Sequence, residues 1–287
     1  MGERTVIRAG PDSLTLRDRW LGARLREKRA AAGLTAKEAA RRMQRSHSTL
    51  SQWESGAAIP RLPDLAFLLD IYDVRGEERD ALLRLQEEVR ERRSTTDTVS
   101  AVVRNYVWLE SRASKLEIFQ DITLPGLLQI PEYARHVIKG WDPAASAERI
   151  ERTVEARLAR QARLTSETPL QLSVILDEAV LRRPVGGTEV MRAQLRHLVD
   201  RASLPTVELR VIPFAAYARA AWAGFPGPFL VMHSRHDPPL AQVVTRGGDI
   251  YFEDVEPFAL ALRRLAKATL TPRRSLAMIA AVRREIT

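Results

Sequence analysis

The 287-residue sequence predicts a two-domain protein: an all-α domain of five helices over 17–93, then an α+β domain over 105–287 with a mainly antiparallel sheet. Three observations carry this. Apolar residues recur at helical spacing through the first ninety positions, with a capping residue or a glycine at the breaks. The stretch RRSTTDTVS at 92–100 has no apolar run and clusters Ser and Thr, which puts a linker over 94–104. Beyond it, short β-rich runs alternate with longer amphipathic ones. Residues 1–16 precede the first helical pattern and read as a flexible arm.

Each helix of the front domain has a local reason. RDRWLGARLREKRAAA, from Arg17 to Ala32, gathers Trp20, Leu21, Leu25, Ala31 and Ala32 on one side, and Gly33 can end it in the left-handed region. Thr35 and Glu38 have the spacing of a capping box, so a second helix begins there, with Ala39, Ala40 and Met43 as its apolar face. Ala40 is small enough for another helix to cross closely above it. That helix is RSHSTLSQWESG: Ser46 can cap it, and Leu50 and Trp53 lie at i and i+3 to bury one side. His47, Ser48, Ser51 and Gln52 then point the other way, an outward row without Lys or Glu. A solvated face normally carries long charged residues, whereas uncharged hydrogen-bonding groups suit contact with base edges. Pro63 opens a fourth helix, DLAFLLDIY, and a fifth follows with Leu82, Leu83, Leu85 and Val89 inward.

Charge placement agrees with a polyanionic partner. The net charge is +9, and the first 62 residues hold 13 Lys and Arg against 6 Asp and Glu, so the basic excess sits at the front. Neutralising phosphates releases condensed counterions, which is what such a module gains from duplex DNA. The absence of cysteine excludes disulfides, thiolate chemistry and zinc fingers. No run of eighteen apolar residues occurs, and MGERTVIRAG lacks the apolar core of a signal peptide, so a cytoplasmic protein is expected.

The run from Ala36 to Ser55 resembles the helix-turn-helix of phage-repressor-like regulators of the xenobiotic response element type. The resemblance rests on small Ala40, apolar Ala39, Met43, Leu50 and Trp53, and a closing W-E-x-G pattern. It implies that His47, Ser48 and Gln52 read bases in the major groove of double-stranded DNA, Gln being suited to bidentate contact with adenine. It implies phosphate contacts from Thr35, Lys37, Arg45 and Arg61, a structural pair between Arg29 and Glu54, and a homodimer on paired half-sites. Two positions depart from the family: Gln44 stands where glycine is common in the turn, and Arg45 where an apolar residue is common.

In the second part, LPGLLQIPEYARHVI places a Pro-Gly turn before a helix opened by Pro131, and ERIERTVEARLARQARL sets Ile150, Val154 and Leu158 at four-residue steps. LQLSVIL, VELRVIPF, PFLVMHS, LAQVVT and GDIYFE read as strands. TEVMRAQLRHLVDRA, PFALALRRLAKATL and a last segment capped by Thr271 read as helices. Tyr106, Trp108 and Phe119 are expected in a core. The phrases LPGLLQIPEYAR, VEARLARQARL, LDEAVLRRPVGG and RVIPF resemble segments of a domain of unknown function that follows the helix-turn-helix in actinobacterial antitoxin-like regulators. That resemblance implies a small toxin-like partner protein and leaves a small-molecule effector open. Arg157, Arg160, Asp177, Arg182 and Arg183 are the candidate partner or effector surface.

Chemistry has few candidates. His233, His236 and Asp237 in HSRHDPP have metal-binding side chains, but the prolines favour a strand-to-loop exit, and no metal site is expected. Adjacent Asp177 and Glu178 lack a matched acid or nucleophile, and PVGG lacks the Lys-Ser/Thr of a phosphate loop. The strand order resembles half of a phospholipase D fold, yet Ser234 and Arg235 follow His233 where that chemistry needs His-x-Lys. No cofactor and no enzymatic activity are expected.

Overall fold

The computed structural model describes residues 6–8, 16–94, 101–216, 227–235, 237–245 and 248–286. The chain divides into two compact units, one formed by 7–109 with 247–249, the other by 110–246 and 250–287 with 1–6. Of the expected arm, Val6–Arg8 is a short strand, β1, and the first helix starts at Leu16. The other arm residues lie outside the described ones.

The helical unit contains α1 Leu16–Ala31, α2 Ala36–Arg42, α3 His47–Ser55, α4 Leu62–Ile71 and α5 Gly76–Ser94. Its core is Trp20, Leu21, Leu25, Ala39, Ala40, Met43, Leu50, Trp53, Leu65, Leu68, Leu69, Leu82, Leu85 and Val89, all buried. Ala31 and Ala32, expected on the inner side, are exposed. Three helices end alike. After α1, α2 and α4 the chain enters the left-handed region at Gly33, Gln44 and Asp73. In each case the next amide turns back five residues, Leu34 to Arg29, Arg45 to Ala40 and Val74 to Leu69, capping carbonyls that the helix leaves free.

The expected linker is helical at both ends, since α5 continues through Ser94 and α6 Ala101–Arg112 begins at 101; 95–100 lie outside the described residues. The second unit is α+β. Its strands are β2 Ala113–Gln120, β3 Gln171–Asp177, β4 Val207–Ile212, β5 Phe229–Ser234, β6 Leu240–Thr245 and β7 Gly248–Phe252. They lie in the order β7-β6-β5-β2-β3-β4, with β1 at the β7 edge. The sheet is mixed, and so less antiparallel than the sequence pattern predicts. β2, β3 and β4 are parallel neighbours, whereas β5 is antiparallel to both β2 and β6. Parallel neighbours need long crossovers. These are α7 Pro131–Trp141 with α8 Ala147–Gln161, and α9 Glu178–Arg182 with α10 Thr188–Arg201.

Two helices close the described chain, α11 Glu256–Ala266 and α12 Pro272–Glu285. Phe258, Ala261, Leu262 and Leu265 of α11 pack on Phe119, Ile175, Ile212, Phe229, Val231 and Ala241 of the sheet. Strand alternation sends Leu172, Val174, Leu176, Leu209 and Val211 to the other face, where they too are buried. α12 packs on β4 and α10, and its Ser275 hydroxyl accepts the Val211 amide at 3.0 Å. Trp108 and Phe119 are buried as expected, and Tyr106 is half-buried.

Candidate nucleic-acid interface

The local chemistry of α2 and α3 builds a surface from the caps inward. Thr35 accepts the Glu38 amide through its hydroxyl, while Glu38 takes both the Thr35 amide, at 2.8 Å, and the Thr35 hydroxyl, at 2.6 Å. Those bonds hold the Glu38 carboxyl below the usual carboxylate range. Ser46 caps α3 through the Thr49 amide at 3.1 Å, and Gly56 ends the helix with φ +79°. Leu50 and Trp53 are buried, which fixes the roll of α3 and turns His47, Ser48, Ser51 and Gln52 outward, all exposed. The Ser48 hydroxyl shares a 2.8 Å hydrogen bond with that of Ser46, so the cap also orients this side chain.

The expected phosphate contacts divide. Lys37 and Arg61 are exposed, and Arg61 stands at the N-cap of α4. Arg45 is exposed as well, but its guanidinium donates to Asp64 at 2.8 Å, a partner in the first turn of α4. Thr35 is exposed, with its amide and its hydroxyl both engaged in the capping box. The sequence reading missed Gln86, which lies among Leu82, Leu85 and Val89 on the inner face of α5. Buried, it donates to the Pro60 carbonyl at 2.9 Å and so pins the loop that presents Arg61. A lone Gln in an apolar stripe was the available signal.

Behind the surface lies the pair that the resemblance implied. Arg29 of α1 grips Glu54 with two hydrogen bonds, 2.7 Å and 2.9 Å, and donates to the Leu34 carbonyl at 2.9 Å. The Glu54 hydrogen bond raises the Arg29 guanidinium above its ordinary range despite burial. α1 and α3 meet closely for a second reason. A Cβ on Gly22 would stand 2.7 Å from the carbonyl oxygens of Trp53 and Glu54, and one on Gly56 would stand 2.6 Å from that of Asp18.

Gln44 bears the one unfavourable feature of the turn. A side chain in the left-handed region costs roughly 1–2 kcal/mol that glycine avoids, partly offset by the greater freedom of an unfolded glycine. Gln44→Gly is therefore expected to raise the stability of the helical domain by about 0.5–1 kcal/mol in urea unfolding. An unchanged or lower midpoint would contradict this account of the turn.

In the second unit the candidate surface residues separate into inward and outward sets. Arg157 donates to Gln129, itself buried, and Arg160 pairs with buried Glu110 at 3.0 Å. Gln161 donates to the Gln129 carbonyl at 2.7 Å, Gln129 to the Leu124 carbonyl at 2.6 Å, and Gln194 to the Leu128 carbonyl at 2.7 Å. Arg157 and Arg160 therefore belong to the network that anchors the LPGLLQ turn, and their reading as an outer surface is corrected. Asp177 is buried and caps α9 through the Ala179 amide, 2.8 Å away. Only Arg182 and Arg183 of that set are exposed. Glu178 is engaged by the Phe214 amide and by Arg182. His233 bonds Glu117 at 2.8 Å and Asp237 bonds Arg112 at 3.2 Å, while His236 lies outside the described residues. Among the described residues no group of three metal-binding side chains occurs, and no helix is long and apolar enough to cross a membrane.

Comparison with known families finds two separate matches along the chain. Residues 20–82 match the profile of a helix-turn-helix domain, and residues 103–281 match that of a domain of unknown function, DUF5753. No curated protein and no solved structure matches. The front domain is a helix-turn-helix domain, a DNA-binding module, and DNA is its partner class.

Proposed function

The chain belongs to the DUF5753 family and carries a helix-turn-helix domain ahead of the family's own, and on that premise we propose that it is a sequence-specific transcriptional regulator of the repressor-like type. It acts as a homodimer on half-sites about one helical turn apart, with α3 in the major groove. His47, Ser48 and Gln52 read bases; Lys37, Arg45 and Arg61 meet phosphates, Arg45 while tethered to Asp64. The observation that carries this reading is the uncharged, exposed row on α3, held outward by buried Leu50 and Trp53. The test is binding to the chain's own promoter DNA against random duplex at physiological salt. Equal affinity for both would overturn it.

The division of labour has its own signature. Gln52→Ala is expected to cost ~1–3 kcal/mol against one base pair and to relax choice there, while Arg61→Ala weakens all sequences alike and lowers the salt slope by about one. A selection experiment with each variant reads this directly; uniform loss in both would refute the assignment.

A second reading, an antitoxin-like role for the larger domain, has a specific support. Ile122 and Phe214, just past the ends of β2 and β4, are 54% and 51% exposed, and Arg183 donates to the Ile122 carbonyl nearby. Exposed apolar groups beside a cation are what a protein partner covers. The candidate is a small protein encoded beside this gene. Co-expression is expected to give a complex that Ile122→Glu with Phe214→Glu dissolves, and a complex indifferent to both would place the contact elsewhere.

A further inference from the structure

We propose that the α+β domain binds a small zwitterion, an apolar α-amino acid or a short peptide with free ends, in a depression between α11 and strands β2 to β4. The depression is about 320 Å³, at the small end of ligand sites. Its wall on α11 is one stripe, Ala259, Leu262, Arg263 and Ala266, at i, i+3, i+4 and i+7. The two alanines are what keep the helix from filling the space above the sheet.

The floor follows from register. Glu117, Ser173 and Glu208 are direct neighbours across β2, β3 and β4, so the two carboxylates stand about 10 Å apart at the backbone with a hydroxyl between them. One row along, Ile175 lies opposite Arg210. Glu117 is occupied, since Lys115 bonds one oxygen at 2.9 Å and His233 the other. Burial works to raise its carboxyl, but these two partners outweigh that and hold it below the usual carboxylate range.

The remaining groups have capacity left. Glu208 accepts from Arg210 through one oxygen only, and Arg210 donates through Nε, leaving its terminal nitrogens without a partner among the described residues. Arg263 meets Glu256 through one terminal nitrogen. The Ser173 hydroxyl has no partner among the described residues. A spare oxygen of Glu208 and the Ser173 hydroxyl therefore share one small space with the spare nitrogens of Arg210, on the same strand as Glu208, and of Arg263 on α11, above Ile175 and beside alanine and leucine. The lining contributes two carboxylates and two guanidiniums, so a lone anion would meet Glu117 and Glu208, and a lone cation would meet Arg210 and Arg263. A ligand that carries both charges satisfies both sets: ammonium toward Glu208 and Ser173, carboxylate toward Arg210 and Arg263, and side chain against Ala259, Leu262 and Ala266.

The test is calorimetric titration of the full chain, without DNA, so its outcome is separate from that of the regulator reading. L-leucine, L-phenylalanine and leucyl-leucine are the probes, with N-acetyl-leucine, leucinamide and inorganic phosphate as comparators. At least one probe is expected to saturate with a Kd below about 1 mM, and the blocked forms and phosphate to bind at least tenfold more weakly. Glu208→Gln removes the acceptor charge, and Ala266→Leu fills the space from an exposed helix position. Each is expected to weaken binding at least tenfold with an unchanged circular dichroism spectrum. Absence of saturation by all three probes up to about 10 mM, equal binding of a blocked form or of phosphate, or full binding by both variants would each overturn the proposal.

Discussion

Glu54→Ala is expected to cost the helical domain roughly 3–5 kcal/mol, a large share of what a domain of this size has. The size follows from what is left behind. Glu54 is buried, and the side chain of Arg29 that faces it is only 15% exposed. With the carboxylate gone, that guanidinium keeps its bond to the Leu34 carbonyl and remains charged in a place where water reaches it poorly. Tyr72 reports the same environment from the other side: burial first, and then the charge of Glu54, pushes its phenol well up. Replacing both partners, Arg29→Met with Glu54→Leu, is expected to recover most of the loss, because neither charge is then stranded. Urea unfolding of the two singles and the double decides it. A single-variant loss below about 1 kcal/mol would mean that the pair behaves as a solvent-exposed one.

Legibility in the sequence tracks how local each cause is. The Thr35–Glu38 box, the Ser46 cap and the glycine stops at 33 and 56 are fixed within four residues of chain, and all were readable. So was the outward row on α3, because Leu50 and Trp53 define its back by spacing alone. The central strand β2 was not readable. ASKLEIFQ follows α6 with no intervening turn residue, and its strand character comes from β3 and β5, which pair with it from more than fifty and more than one hundred residues away. Parallel pairing of β2 to β4 hid for the same reason, since nothing in a strand's own residues records its neighbour's direction. Arg157 and Arg160 were misplaced by a sound rule: arginine leaves an apolar stripe to meet water unless a distant partner waits, and here Gln129 and Glu110 do.

Gly22→Ala is expected to destabilise the helical domain by about 1–3 kcal/mol, or more if α3 cannot shift, although it puts a better helix former into a helix. In the interior of α1 the substitution gains about 1 kcal/mol of intrinsic propensity. Against that, the new methyl must stand 2.7 Å from two carbonyl oxygens of α3. Those atoms cannot rotate away as a side-chain tip would. They lie in the last turn of α3, and the same helix end meets α1 again one turn earlier, where Gly56, at φ +79°, lies against the Asp18 carbonyl. Relief therefore requires α1 and α3 to separate, which moves the row that carries His47 and Gln52. DNA affinity is accordingly expected to fall at temperatures where the variant is still fully folded. Gly140→Ala, in the last turn of α7 in the α+β unit, is the comparison: a Cβ there meets nothing within 4 Å, so the substitution adds no backbone clash. Unfolding midpoints and duplex binding, measured on both variants, separate the effects. A Gly22→Ala protein that is destabilised no more than the Gly140→Ala protein would show that α1 and α3 are not in this close contact.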